Sequence, residues 1–66
     1  MKPTAIAVGM RVRVLAMNDP QAVPPGTLGT AMGSTDMGRW VRIAVRWDNG
    51  SMLALAVPPD RYEVIP

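Results

Sequence analysis

The stretch RWVRIAVRWDNGSMLALAV, residues 39–57, decides the fold. Its first half alternates apolar residues with Arg and Ala. This pattern predicts a β-strand over Arg39–Trp47 whose buried side carries Val41, Ile43, Val45 and Trp47. The Asp48-Asn49-Gly50 that follows predicts a tight turn into another strand, Ser51–Val57.

The length of this turn decides which side chains of the second strand face the core. A two-residue turn would pair Trp47 with Met52 and leave Leu53 and Leu55 in water. A three-residue loop, with its Gly in the left-handed conformation, pairs Trp47 with Ser51 and buries both leucines. Burying Leu in place of Ala gains about 1–2 kcal/mol per position at ~25 cal/mol per Å2, so we expect the three-residue loop.

Outside this hairpin, prolines and glycines cut the chain into segments too short for ordinary helices. These segments predict further strands over Met10–Met17, Thr27–Gly33 and Tyr62–Ile65, with a 3₁₀ turn at Pro58-Pro59-Asp60. A chain of 66 residues can bury only one core. We therefore expect an all-β fold, a small five-stranded SH3-like barrel at residues 9–66, preceded by an N-terminal arm at residues 1–8.

Several short motifs are similar to those of a known family. They are Val12-Arg13-Val14, Asn18-Asp19-Pro20, Pro25-Gly26-Thr27 with Gly29-Thr30, Trp47-Asp48-Asn49-Gly50-Ser51, Leu53-Ala54-Leu55 and Asp60-Arg61-Tyr62. Together they resemble a family of short SH3-like domains of unknown function, common in actinobacteria and on mobile elements. The resemblance runs from about Gly9 to Ile65; it implies the fold and no activity.

The residue types present exclude most catalytic chemistry. The chain has no Cys and no His, which excludes disulfides, the usual zinc sites and Cys–His or Ser–His–Asp catalysis. Asp19, Asp48 and Asp60 lie in Pro- and Gly-containing segments, where Asp commonly forms turns. We therefore expect a protein that is not an enzyme and has no metal, no cofactor and no small-molecule substrate.

Charge and hydropathy add two expectations about partners and location. The net charge is +2 with a pI of about 10.0, so the protein is small and basic but its overall field is weak. No segment approaches the ~18 apolar residues of a membrane helix. We expect a cytoplasmic protein without a membrane partner.

The outward side of the middle strands is unusual for a solvated surface. A five-residue loop at 34–38 would align Leu28 with Ala44, Thr30 with Arg42 and Met32 with Trp40. The outward positions are then Leu28, Thr30, Met32, Trp40, Arg42, Ala44, Arg46, Met52, Ala54 and Ala56. Only two of these ten are charged, whereas a solvated sheet face carries polar side chains.

This composition favours a protein-interaction module. Exposed apolar patches mark interaction sites, and Trp, Met and Arg are enriched in interfaces. The expected interface residues are Leu28, Met32, Trp40, Arg42, Arg46 and Met52, with Trp40 as the central anchor. The expected partner is a second copy, giving a homodimer, or a host complex that the chain joins as an accessory subunit. In the alternative, the arm Lys2–Val8 covers this face as part of the core.

Nucleic-acid binding is the second hypothesis. Its candidate residues are Arg11, Arg13, Arg42 and Arg46, which would contact phosphates, and Trp40, on which a base would stack. The net charge of +2 is well below that of a typical nucleic-acid-binding surface, so the protein-interaction hypothesis is preferred.

Overall fold

The fold is a single curled antiparallel sheet, seen in a computed structural model that describes residues 7–19 and 22–66. The strands are β1 (Arg11–Ala16), β2 (Leu28–Asp36), β3 (Val41–Trp47), β4 (Leu55–Val57) and β5 (Arg61–Ile65). They lie in the order β4-β3-β2-β1-β5. No helix occurs in the described ranges. The prediction of a small, all-β, five-stranded barrel is confirmed.

The core lies on the inner side of the curled sheet. The β3 strand follows the predicted alternation, because every second residue from Val41 to Trp47 is buried and both arginines are exposed. The fully enclosed indole of Trp47 donates its Nε1–H to the backbone carbonyl of Leu53 at 2.7 Å. The buried apolar residues are Val12, Val14, Val23, Ala31, Val41, Ile43, Val45, Trp47 and Leu55.

The hairpin from β3 to β4 has the predicted three-residue loop. The Trp47 N–H donates to the carbonyl of Ser51 at 2.9 Å, and Gly50 has a left-handed φ of 93°. Leu55 is fully buried, and Leu53 and Val57 pack against the core at its edge. β4 is shorter than predicted, since it begins at Leu55 rather than Ser51.

The predicted alignment of β2 with β3 is wrong. The expected pairs were Leu28 with Ala44, Thr30 with Arg42 and Met32 with Trp40. The observed pairs are Thr30 with Arg46, Gly33 with Ala44, and Thr35 with Arg42. β2 continues past its predicted end at Gly33 to Asp36, so the connection to β3 is residues 37–40 rather than 34–38.

Two local features produce this register. A β-bulge between Ala31 and Gly33 leaves Met32 without a cross-strand partner. The connection is closed by the Met37 N–H donating to the Trp40 carbonyl at 2.8 Å. An Asp36 carboxylate oxygen also accepts from the Gly38 N–H at 2.8 Å, which gives the loop an Asx-type turn.

Asp60 joins two loops beneath the sheet. Its buried carboxylate accepts hydrogen bonds from the backbone N–H of Asn18 at 2.7 Å and of Ala56 at 2.9 Å. The Asp60 N–H donates to the carbonyl of Ala56, four residues back, so the turn before β5 is wider than the predicted 3₁₀ turn, in which the bond spans three. Asp60 is thus a turn residue, as predicted, and it also anchors the first loop.

The chain enters the sheet at Gly9, whose N–H donates to the carbonyl of Ala31 at 2.8 Å. Residues 1–6 of the predicted N-terminal arm lie outside the described residues. The alternative in which Lys2–Val8 covers the outward face therefore stays a prediction.

Candidate protein-interaction face

The outer face is the side of β2, β3 and residues 51–57 that points away from the core. Cross-strand pairing and the alternation along each strand place eleven residues on it, and none of them is buried. They are Leu28, Thr30, Met32, Gly33, Thr35, Arg42, Ala44, Arg46, Met52, Ala54 and Ala56.

A row of small residues crosses the middle of the outer face. Gly33 lies opposite Ala44, and the register that pairs Arg42 with Ala56 places Ala54 on the other side of Ala44. Arg42 stands on one side of this row and Arg46 on the other. The row therefore holds no bulky side chain, and one cation stands on each side of it.

The two arginines of the outer face differ from the two of β1 in their partners. Arg11 binds Asp48 through two hydrogen bonds, with Nη1 donating to Oδ1 at 2.9 Å and Nη2 donating to Oδ2 at 2.5 Å. Arg13 Nη1 donates to Oε1 of Glu63 at 2.7 Å. Arg42 and Arg46 form no salt bridge with any carboxylate of residues 7–19 and 22–66. Their charge is therefore available to a partner.

The Arg11–Asp48 pair joins β1 to the loop after β3. Its hydrogen bonds hold the pKa of the Asp48 carboxyl below its usual value, and charge attraction acts in the same direction. The same bonds raise the pKa of Arg11. Arg11 Nη1 also donates to Oγ1 of Thr30 at 2.9 Å, which directs the guanidinium across β2. Asp48 therefore stays ionised and engaged at neutral pH.

The structure brings together five of the six predicted interface residues: Leu28, Met32, Arg42, Arg46 and Met52. Trp40 lies apart from Leu28, at the opposite end of β3, because the Leu28 carbonyl accepts from the N–H of Asp48 whereas Trp40 precedes Val41. The seven-residue strand between them spans roughly 23 Å. Trp40 is half-buried and does not lie at the centre of the face.

Of the predicted nucleic-acid residues, only some have an available charge. Arg11 and Arg13 are engaged by carboxylates, whereas Arg42 and Arg46 share the outer face, and Trp40 lies in the loop beyond Arg42. Sequence reasoning missed the pairing role of Asp48 and Glu63. The alternation along β5 could have placed Glu63 on the same side as Arg13, but its register with β1 had no local signal.

Two further observations concern other kinds of site. No group of three or more Asp and Glu side chains in the described chain could hold a metal ion. None of the described residues forms a helix with the length and apolar character needed to cross a membrane.

Comparison of the sequence with known protein families finds one family that matches nearly the whole chain. Residues 4–65 match the family described as Domain of unknown function (DUF4314). The chain belongs to this family. The DUF4314 match confirms the resemblance to a family of unknown function and covers both the sheet and the outer face. No curated protein and no solved structure matches the chain. Since DUF4314 carries no assigned activity, function has to be argued from the outer face.

Proposed function

We propose that the chain is a non-catalytic protein-interaction module whose contact surface is the outer face. One observation carries this proposal. Eleven neighbouring, accessible positions hold nine uncharged residues, two arginines and no carboxylate or Lys. Apolar residues combined with Arg are typical of interface cores, from which Lys and Glu are depleted.

The corrected register changes the expected anchors of this interface. The exposed methionines of the outer face are Met32 at the bulge and Met52 beside Arg46, which are 42% and 73% exposed. Both are long and flexible, so each adapts to a partner surface at little cost. Trp40 becomes a contact at the rim of the face.

A pair of matched variants tests the proposal. Met52→Glu places a charge on the outer face, whereas Val64→Glu places the same charge on β5, at the far edge of the sheet, where the native side chain is 44% exposed. Light scattering of the pure protein and affinity capture from lysate, with nuclease added, would be compared for both variants. We expect the wild-type chain and Val64→Glu to retain a protein partner or dimer that Met52→Glu loses. A monomer that captures no protein in this way would exclude the proposal.

Nucleic-acid binding is the second candidate, and the available charges of Arg42 and Arg46 favour it. Fluorescence anisotropy with labelled single- and double-stranded oligonucleotides at ~50 mM salt tests this candidate. It predicts binding that weakens steeply with added salt and is lost in the double variant Arg42→Gln/Arg46→Gln. Binding without a salt dependence, or no binding at all, rejects it.

A further inference from the structure

The spacing of Arg42 and Arg46 specifies the shape of a partner. They lie four residues apart on β3, so both side chains leave the same side of the strand. At ~3.3 Å per residue, their Cα atoms are about 13 Å apart. An extended segment lying along β3 has the same rise per residue, so side chains four positions apart on that segment match this spacing.

The salt bridges of the surrounding charged residues specify the chemistry of the binding partner. Asp48, the carboxylate that directly follows β3, is already held by Arg11 through two hydrogen bonds, and Glu63 is held by Arg13. Asp36 pairs with Val41 on the inner side of the sheet, where its carboxylate accepts from the Gly38 N–H. Asp48 and Glu63 are therefore not available to neutralise Arg42 or Arg46. Within residues 7–19 and 22–66, neither of these two arginines forms a salt bridge. A guanidinium binds a carboxylate with paired, charge-assisted hydrogen bonds.

The small residues between Arg42 and Arg46 specify which side chain of the partner lies between its two carboxylates. Ala44 occupies the position midway between Arg42 and Arg46, and Gly33 lies opposite it on β2. These residues are too small to block a partner's backbone. An apolar side chain midway between two acids would therefore rest on Ala44.

We propose that the outer face binds an extended acidic segment of another protein, with two carboxylates four residues apart on Arg42 and Arg46 and an apolar side chain on Ala44. This inference rests on the proposed function and adds the identity of the partner's contact residues.

A second copy of the chain does not meet this requirement. A two-fold contact presents the same surface from both sides. Face-to-face pairing would therefore bring Arg42 and Arg46 of each copy into one interface to which the eleven outer-face positions contribute no carboxylate. Opposed like charges disfavour such a contact.

Three labelled peptides test the proposal by fluorescence anisotropy. The first contains one copy of Glu-Ser-Val-Ser-Glu, the second replaces each Glu with Gln, and the third has the composition of the first in the order Glu-Glu-Val-Ser-Ser. The double variant Arg42→Gln/Arg46→Gln is compared with Arg61→Gln, which removes an exposed cation from β5, and thermal melts show whether each variant is folded.

We expect the first peptide to bind about tenfold more tightly than either of the others, a difference that one or more charge-assisted hydrogen bonds can supply. The double variant should lose this preference and Arg61→Gln should keep it. Equal affinities for the three peptides would overturn the proposal, as would an equal loss in Arg61→Gln. The labelled first peptide can also be displaced by a competitor. If a thymidine oligonucleotide displaces it at a lower concentration than the unlabelled peptide does, the proposal is overturned in favour of nucleic acid.

The failure of this inference is distinguishable from that of the proposed function. If a captured protein is lost with Met52→Glu but retained by Arg42→Gln/Arg46→Gln, the outer face binds protein without acidic pairing. If no variant affects capture, the proposed interface itself is wrong.

Discussion

At the scale of single residues, Gly29 marks the closest approach between β2 and the core. A Cβ atom built on Gly29 would lie 2.6 Å from Cγ1 of Val45 and 2.7 Å from Cε3 of Trp47. Real Cβ atoms do not make such short contacts, and the Trp47 ring is enclosed on all sides. The absence of a side chain at Gly29 therefore lets the indole pack against the strand.

We predict that Gly29→Ala destabilises the fold by about 1–3 kcal/mol, the usual cost of overpacking a core. The measurement is the free energy of unfolding from denaturant titration, followed by tryptophan fluorescence. Backbone entropy alone would give the opposite sign, because replacing Gly with Ala stabilises a chain where the conformation allows it. An unchanged or higher free energy of unfolding would contradict the packing argument.

Asp60 provides a second prediction at this scale. In Asp60→Asn, one of the two acceptor oxygens becomes an NH2 group that faces a backbone N–H of Asn18 or Ala56. Leaving such a buried donor without an acceptor costs about 1–3 kcal/mol, so the thermal midpoint should fall. Asp36→Asn is the control, since its side chain is exposed and the amide oxygen can still accept from Gly38. Equal midpoints for the two variants would show that Asp60 is not a structural anchor.

At the scale of the elements, the Arg11–Asp48 contact predicts a pH dependence. The folded-state pKa of Asp48 is lowered, so the stability that the contact contributes is present above the unfolded pKa of about 4 and is lost as the pH falls through the folded value. The difference in thermal midpoint between the wild type and Arg11→Gln should be present near pH 7 and should shrink below about pH 4. Arg61→Gln should show no such trend. A difference that stays constant on acidification would argue against the contact.

The elements also show how far sequence reasoning reaches. The alternation of β3 was predictable from its sequence pattern. The length of the loop after it was also predictable, because burying leucines rather than alanines gains free energy and favours the three-residue loop. The register of β2 with β3 was not, because several residues of Ser34–Gly38 favour turns and the sequence does not single out Asp36 as the residue that ends the strand. The bulge at Met32 reverses the alternation of β2 without a local signal. Most of the outward residues were therefore identified, but Gly33 and Thr35 were not, and the predicted cross-strand neighbours on β2 were wrong.

At the scale of the whole molecule, the salt dependence of binding distinguishes an acidic partner segment from a second copy of the chain. Binding of an acidic segment by Arg42 and Arg46 should weaken as salt screens the attraction, because the Debye length falls from about 10 Å at 0.1 M to ~3 Å at 1 M. Face-to-face self-association should strengthen instead, since screening removes the repulsion between arginines. Peptide affinity by anisotropy and molar mass by light scattering, each measured across this range, check the two signs. A salt-weakened homodimer would argue for self-recognition through other charges.

The bulge at Met32 determines which charges the outer face presents. In an unbroken ladder continuing the pairing of Thr30 with Arg46, Ser34 would lie opposite Arg42 and Asp36 would project outward next to it. With Met32 inserted, Thr35 takes the place opposite Arg42 and Asp36 pairs with Val41 on the inner side. One extra residue thus reverses the side of the sheet that the later residues of β2 occupy, and it places the Asp36 carboxylate on the opposite side from the Arg42 guanidinium.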